Sequence, residues 1–296
     1  MKLATFSHGG QLKIGSAEGD VIADLSSQPA APLSLRELLE RGSDGFKWAR
    51  WAATHAPRLP LAEVQVCAPI PDPQKFFALG GNYGSHLAEA AKHGLVRGPG
   101  QVWFNKQVSC VSGPRDDVFL PRASGQLDYE GELGVVIGTR CRYVRADDAM
   151  RVIAGYVVVN DISVRDWQLR SPTHTLGKSF DTHGPFGPWL VTRDEIPDPH
   201  DLHLRTWVNG ELRQQGHTGE MIHRIEAMIA ELSAAVTLCP GDILTTGSPA
   251  GVGALMNPPL YLRTGDVVRV EIEGIGSIEN RVVPEPASRF QTGDHA

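Results

Sequence analysis

Helical periodicity is scarce in this chain, and its scarcity restricts the possible folds more than any other feature. One long stretch carries a convincing helical stripe: Met221, Ile222, Ile225, Met228, Ile229 and Leu232 recur at 3.6-residue spacing, as a core-packing face requires. Elsewhere short β-forming runs are set off by turn residues, which are plentiful, with 32 Gly and 21 Pro among 296 residues. Residues 202–208 and 211–215 flank Asn209-Gly210, a dipeptide suited to the left-handed backbone of a two-residue hairpin. Residues 267–273 and 277–283 flank a second turn at 274–276, and residues 128–137 and 155–159 are rich in β-formers. The strand–helix alternation of a doubly wound sheet is missing. The expected class is mainly β, in the α+β sense.

The first part of the chain reads as a small α+β unit. Residues 2–6 and 12–15 flank Gly9-Gly10, residues 21–25 add a strand, and Ser34 with Glu37 forms a capping box for a short helix that ends before Gly42. Pro57, Pro60, Pro69, Pro71 and Pro73 then punctuate a stretch that can continue neither a helix nor a central strand. A junction near Cys67 is expected, with a small N-terminal domain over 1–66 and a larger catalytic-sized domain over 67–296.

Charge and cysteine usage exclude several classes of function. A net charge of −6 gives no broad attraction to nucleic acid or to an anionic membrane. Cys67, Cys110, Cys141 and Cys239 are widely spaced without a CxxC pair, which reads as small buried side chains in a reducing compartment. The N-terminus shows no secretory leader pattern, and no run approaches the roughly 20 apolar residues of a membrane helix. The expectation is a soluble, cytoplasmic protein.

Three acidic positions stand out. In a strand Glu130 and Glu132 project to one side, while Leu127, Tyr129 and Leu133 project to the other. Such a pair is either a solvated acidic edge or a site that a cation neutralises. Asp161 ends the apolar run 155–159 after Asn160 and offers a third carboxylate. Three oxygen donors without Cys or His favour a hard divalent cation, Mg2+ or Mn2+ with Ca2+ as a substitute, over zinc. His86 and Glu89 share a face if Ser85 caps a short helix running to Gly94. That pair is either a solvated surface pair or a general base oriented by a carboxylate.

Other motifs fail on inspection. Gly177-Lys178-Ser179 lacks the first glycine of a phosphate-binding loop, because Pro172 stands there, and Gly80-Gly81-Asn82-Tyr83-Gly84 does not fit a dinucleotide fingerprint. In Gly247-Ser248-Pro249-Ala250-Gly251 the serine is misplaced for a nucleophile elbow.

Taken together and in order, these segments resemble the fumarylacetoacetate hydrolase family. The resemblance is carried by Gly81-Asn82-Tyr83 with His86-Leu87-Ala88-Glu89, by Asp128-Tyr129-Glu130-Gly131-Glu132-Leu133, and by Asn160-Asp161-Ile162-Ser163-Val164-Arg165-Asp166 with Gln168. It continues through Gly177-Lys178-Ser179-Phe180-Asp181, Val208-Asn209-Gly210 and Thr246-Gly247-Ser248-Pro249, and spans about residues 67–285. It implies a β-roll catalytic domain, a homodimer, and one divalent metal on Glu130, Glu132 and Asp161. It further implies a His86–Glu89 dyad on a helix able to close over the site, a catalytic Lys178, and substrate contacts from Arg165, Gln168 and Ser248. Ser248 replaces a threonine of the family pattern, Gly131 replaces a bulkier residue, and Trp103-Phe104-Asn105-Lys106 is an unusual version of its segment.

The reaction so implied is cleavage of the C–C bond of a 2,4-dioxo acid, an acylpyruvate or fumarylpyruvate-like compound, in the breakdown of aromatic compounds or sugar acids. The products are pyruvate, or a related 2-oxo acid, and a carboxylic acid. Decarboxylation of oxaloacetate-like acids, isomerisation and lyase chemistry use the same enolate and are the alternatives, and a non-enzymatic acid-binding dimer is a third. Gly94, Gly98, Pro99 and Gly100 suggest a loop over the pocket that sets substrate size. His174 and His183 flank Lys178 and are read as plain loop residues.

Overall fold

Gly9 and Gly10 both take left-handed backbone, with φ of +59 and +76, and close a two-residue hairpin between the strands Lys2–His8 and Gln11–Glu18. The computed structural model describes residues 1–94 and 98–287. Five α-helices are present among them: α1 (Leu35–Glu40), α2 (Gly42–His55), α3 (Gly84–Lys92), α4 (Arg165–Gln168) and α5 (Ile225–Ala235). The strands fall mainly in two large sheets, a mainly-β α+β architecture.

The larger sheet has 12 strands. Its path runs Arg58–Pro60, Val21–Asp24, Gln11–Glu18, Lys2–His8, Gly184–Thr192, Ile153–Asn160, Gly131–Ile137, Ile243–Thr245, Phe76–Gly80 and Val102–Lys106. The N-terminal strand Lys2–His8 is hydrogen-bonded directly to Gly184–Thr192, so the first residues extend the sheet built by the rest of the chain. The second sheet has five strands, in the order Glu211–His217, His203–Val208, Val267–Ile272, Gly276–Pro284 and Val118–Leu120. Asn209 and Gly210 both have positive φ and turn its first hairpin, as their sequence predicts.

The central strands are buried on both faces, which explains their nearly continuous apolar character. In Gly131–Ile137, Leu133, Val135 and Ile137 face a core shared with the five-stranded sheet and with Ile225, Ile229 and Leu232 of α5. Val136 faces the opposite core, beneath Leu35, Leu38 and Leu39 of α1 and Ala49 and Ala52 of α2. The large sheet is thus covered on one side by the N-terminal helices and on the other by the second sheet.

Three helical details depart from the sequence reading. Helix α2 was not foreseen, because its buried face is Gly45, Ala49 and Ala52 and carries no large apolar stripe. Gly45 is required there, since an added Cβ would lie 2.1 Å from the Leu38 carbonyl oxygen. Helix α3 begins one residue before Ser85 with Tyr83 at its cap, so Ser85 is not the capping residue. Helix α5 begins at Ile225: Met221 instead bridges to Tyr83, and Ile222 is exposed. Of the expected loop over the pocket, residues 95–97 lie outside the described residues.

Candidate active site

Strand register brings the acidic residues together. Gly131 pairs with Asn160, and the Asp161 N–H donates to the Glu130 carbonyl oxygen at 2.8 Å, so the start of one strand abuts the end of the next. Gly134 pairs with Thr245 on the other side, and Ile243–Thr245 runs parallel to Phe76–Gly80. Four strand ends therefore converge, delivering Glu130 and Glu132, Asp161, the 246–255 loop and the approach to α3. Glu130, Glu132 and Asp161 each present one carboxylate oxygen within 4.8 Å of the others, and all three are buried. The triad expected from sequence is assembled.

Cations surround two of the three carboxylates. Lys178 Nζ lies 2.6 Å from Glu130 Oε2 and 2.6 Å from Asp161 Oδ2. Arg165 Nη1 donates to Glu130 Oε1 at 2.7 Å and to Gln168 Oε1 at 3.0 Å. Burial alone would raise the Glu130 carboxyl, but Lys178 and Arg165 outweigh it and hold the group well below the usual carboxylate range. Burial would likewise lower Lys178, yet Asp161 and Glu130 overcome that and keep it an ammonium above its ordinary value.

Glu132 differs. Its Oε2 accepts the Gly247 N–H at 2.8 Å, and no lysine or arginine is paired with it among the described residues. Burial, then Asp161 and Glu130, push its carboxyl well above the ordinary range. A buried carboxyl destabilised as an anion by two others is what a divalent cation would relieve. The all-oxygen donor set is that of Mg2+, Mn2+ or Ca2+. The residues present fit such an ion.

His86 and Glu89 lie on one face of α3 and His86 faces the same cavity. His86 Nδ1 is 3.6 Å from Glu89 Oε2, and Glu89 also accepts the Gly251 N–H at 3.1–3.2 Å. Burial would raise Glu89, but His86 and the Gly251 N–H prevail and hold it below its usual value. A further contact seats the helix end, His93 Nε2 donating to the Leu255 carbonyl at 3.0 Å. The cavity measures about 600 Å³ and is lined by His86, Glu130, Glu132, Arg165, Gln168, Lys178 and Ser248, among others. Every sequence-predicted site residue except Glu89 and Asp161 lines it, and those two stand directly behind His86 and Lys178.

Some contributors were invisible from sequence. Lys106, at the end of the edge strand Val102–Lys106, is fully buried and donates to Asp161 Oδ1 at 2.6 Å and to the Lys178 carbonyl. Its segment is an unusual version of the family pattern, but nothing local signals that its lysine points inward. Asp128 accepts from Gly253 N and Ala254 N at 2.9 Å and from Arg165 Nε at 2.8 Å, so it both clamps the 246–255 loop and aims Arg165. Arg165 pairs with Asp128 and Glu130. His174 and His183 both lie outside helices and strands, as read from sequence; His174 lines the cavity, and His183 is buried against the Phe119 carbonyl.

Known proteins resemble this chain along nearly its whole length. The family model for the fumarylacetoacetate (FAA) hydrolase C-terminal region matches residues 75–283. The mitochondrial oxaloacetate tautomerase FAHD2B of Bos taurus is 42% identical over 279 residues, covering 93% of this chain and 88% of that protein. The solved fumarylacetoacetate hydrolase of Exiguobacterium antarcticum is 38% identical with a TM-score of 0.85, covering 96% of this chain and 100% of that one. Maleylpyruvate hydrolase of Sphingobium sp. SYK-6, solved with manganese(II) and pyruvate, is 34% identical with a TM-score of 0.79 over 97% of this chain and 100% of its own. Shared sequence, shared fold and the assembled acidic site agree: the chain is a member of the fumarylacetoacetate hydrolase family of enzymes.

Proposed function

We propose that the protein is a divalent-metal-dependent enzyme that takes a 2-oxo acid through its enol form, and that its reaction is the keto–enol tautomerisation of oxaloacetate or a close analogue. The observation that carries this reading is that His86, backed by Glu89, shares one cavity with Glu130 and Glu132, the two members of the acidic triad that line it. The likeness to oxaloacetate tautomerases at 42% identity supports the choice of reaction.

Glu130, Glu132 and Asp161 would hold the metal, which when bound polarises the 2-oxo group and acidifies the neighbouring C3–H. His86 takes the C3 proton, and Glu89 steadies the imidazolium that results. Electrons from the C3–H bond form the C2=C3 double bond, those of the carbonyl move to oxygen, and a proton returned to that oxygen gives the enol. Atoms and charge balance without a second reactant. Lys178 and Arg165 supply positive charge beside the developing enolate, and Ser248 offers a hydroxyl to the substrate carboxylate.

A second reading is hydrolysis of a 2,4-dioxo acid, in which His86 activates water against the C4 carbonyl. Two observations favour it: the likeness to maleylpyruvate hydrolase, and a cavity of about 600 Å³ that exceeds the needs of a four-carbon acid. The deciding experiment incubates Mg2+- or Mn2+-loaded protein with oxaloacetate and, separately, with acetylpyruvate, following enol absorbance and the proton NMR of products. Accelerated ketonisation of enol-oxaloacetate, lost in His86→Ala, is expected. Acetate and pyruvate from acetylpyruvate without accelerated ketonisation would put the second reading first. Inertness toward both would overturn both.

A further inference from the structure

Gln214 lies in the strand Glu211–His217, outside the cavity, yet its fully buried side chain touches both halves of the site. Its Oε1 accepts the Gly131 N–H at 2.9 Å, at the peptide between Glu130 and Glu132. Its Nε2 donates to the Pro249 carbonyl at 2.9 Å, one residue after Ser248. Only one amide orientation serves, because a flip would set NH2 against N–H and oxygen against oxygen.

The surrounding backbone is packed tightly enough to make this bridge exact in length. A Cβ on Gly131 would lie 2.2 Å from Thr206 Oγ1, and Thr206 is the cross-strand partner of Gln214. A Cβ on Gly216 would lie 2.6 Å from Pro249 Cβ, and one on Gly251 would lie 2.0 Å from the Arg213 carbonyl oxygen. The strand therefore presses on the acidic segment and on the serine-bearing loop at once.

We propose that Gln214 is a positioning residue whose amide sets the spacing between the Glu130–Glu132 pair and the Ser248 loop. This rests on the reading of those carboxylates as metal ligands and of Ser248 as a substrate contact. Partners behind metal ligands commonly alter affinity or activity by about 10–100-fold when removed.

The test measures Mn2+ affinity by electron paramagnetic resonance, and KM and kcat for oxaloacetate, in Gln214→Leu and Gln214→Glu. Gln214→Leu loses both arms, so Mn2+ affinity and KM should each worsen about tenfold. Gln214→Glu keeps an acceptor for the Gly131 N–H but sets oxygen against the Pro249 carbonyl. Its KM should rise about tenfold while Mn2+ binding is no weaker than in the wild type. A purely structural glutamine would lower thermal stability and leave both constants unchanged, and that result overturns the proposal. If Gln214→Leu does not fold, an unchanged KM in Gln214→Glu overturns it alone. If the wild type binds Mn2+ but turns over neither substrate, the reaction reading fails. Mn2+ affinity in Gln214→Leu then decides the role of Gln214: weakened supports it, unchanged overturns it.

Discussion

Lys106 Nζ stands 2.6 Å from Asp161 Oδ1 with both side chains fully buried, so a central carboxylate of the site is neutralised from behind the cavity. Removing Lys106 leaves Asp161 with Lys178 as its counter-charge, so the cost should fall below the about 3–5 kcal/mol of a wholly uncompensated buried charge. Lys106→Met should therefore lower the unfolding free energy, obtained from urea titration, by about 1–3 kcal/mol. Added Mn2+ should recover more stability in the variant than in the wild type, because a bound cation replaces the missing charge. Equal recovery in both proteins would separate Lys106 from the metal site.

Stripping divalent ions should abolish turnover without unfolding the protein. Lys106, Lys178 and Arg165 already neutralise Glu130 and Asp161, so the acidic cluster does not depend on an added ion to stay together. After treatment with EDTA, near-ultraviolet circular dichroism should be unchanged, and the melting temperature should rise again on adding Mg2+ or Mn2+. Ligand present at a hundred times its dissociation constant contributes about 2.7 kcal/mol. Loss of the near-ultraviolet signal on stripping would contradict this.

Acid stability should be governed in part by His183. Burial pushes its imidazole down to about 3, from an ordinary value of about 6.5, with Nε2 donating to the Phe119 carbonyl. The unfolded chain takes up the proton first. This contribution to stability is thus complete above pH 6.5 and is lost as pH falls from 6.5 toward 3. Between pH 7 and pH 5 the wild type should lose about 2 kcal/mol that His183→Gln does not lose, read from unfolding free energies in urea titrations at the two pH values. Identical pH profiles would refute the assignment.

Gly131 is needed for space. Gly131→Ala places a methyl 2.2 Å from Thr206 Oγ1 and 2.9 Å from Val270 Cγ1. Overpacking of this kind costs about 1–3 kcal/mol. Thr206→Ala should restore part of that loss in the double variant, since it removes the nearer obstacle. Strictly additive effects would show that the two residues do not meet.

The acidic and basic groups of the site were legible wherever their signal was local. Glu130 and Glu132 show by alternation in a strand, Asp161 by ending an apolar run, and His86 with Glu89 by helical spacing. Lys106, Asp128 and Gln214 were not, because each acts through a contact far along the chain. Lys106 meets Asp161, Asp128 meets Ala254, and Gln214 meets Gly131. Helix α2 was missed for a different reason: packing on small residues leaves no periodic trace of large apolar side chains.

Gly251 is held at once by Glu89 of α3, by the hydroxyl of Tyr129 and by the Arg213 backbone. A knot of this kind divides the protein into a part that must be inherited unchanged and a part free to drift. Leu87, Leu169, Leu255 and Tyr261 line the cavity without taking part in these contacts and can vary without loosening the knot. A lineage built on this frame can reshape the wall of the cavity while the His86–Glu89 pair and the acidic triad stay where they were.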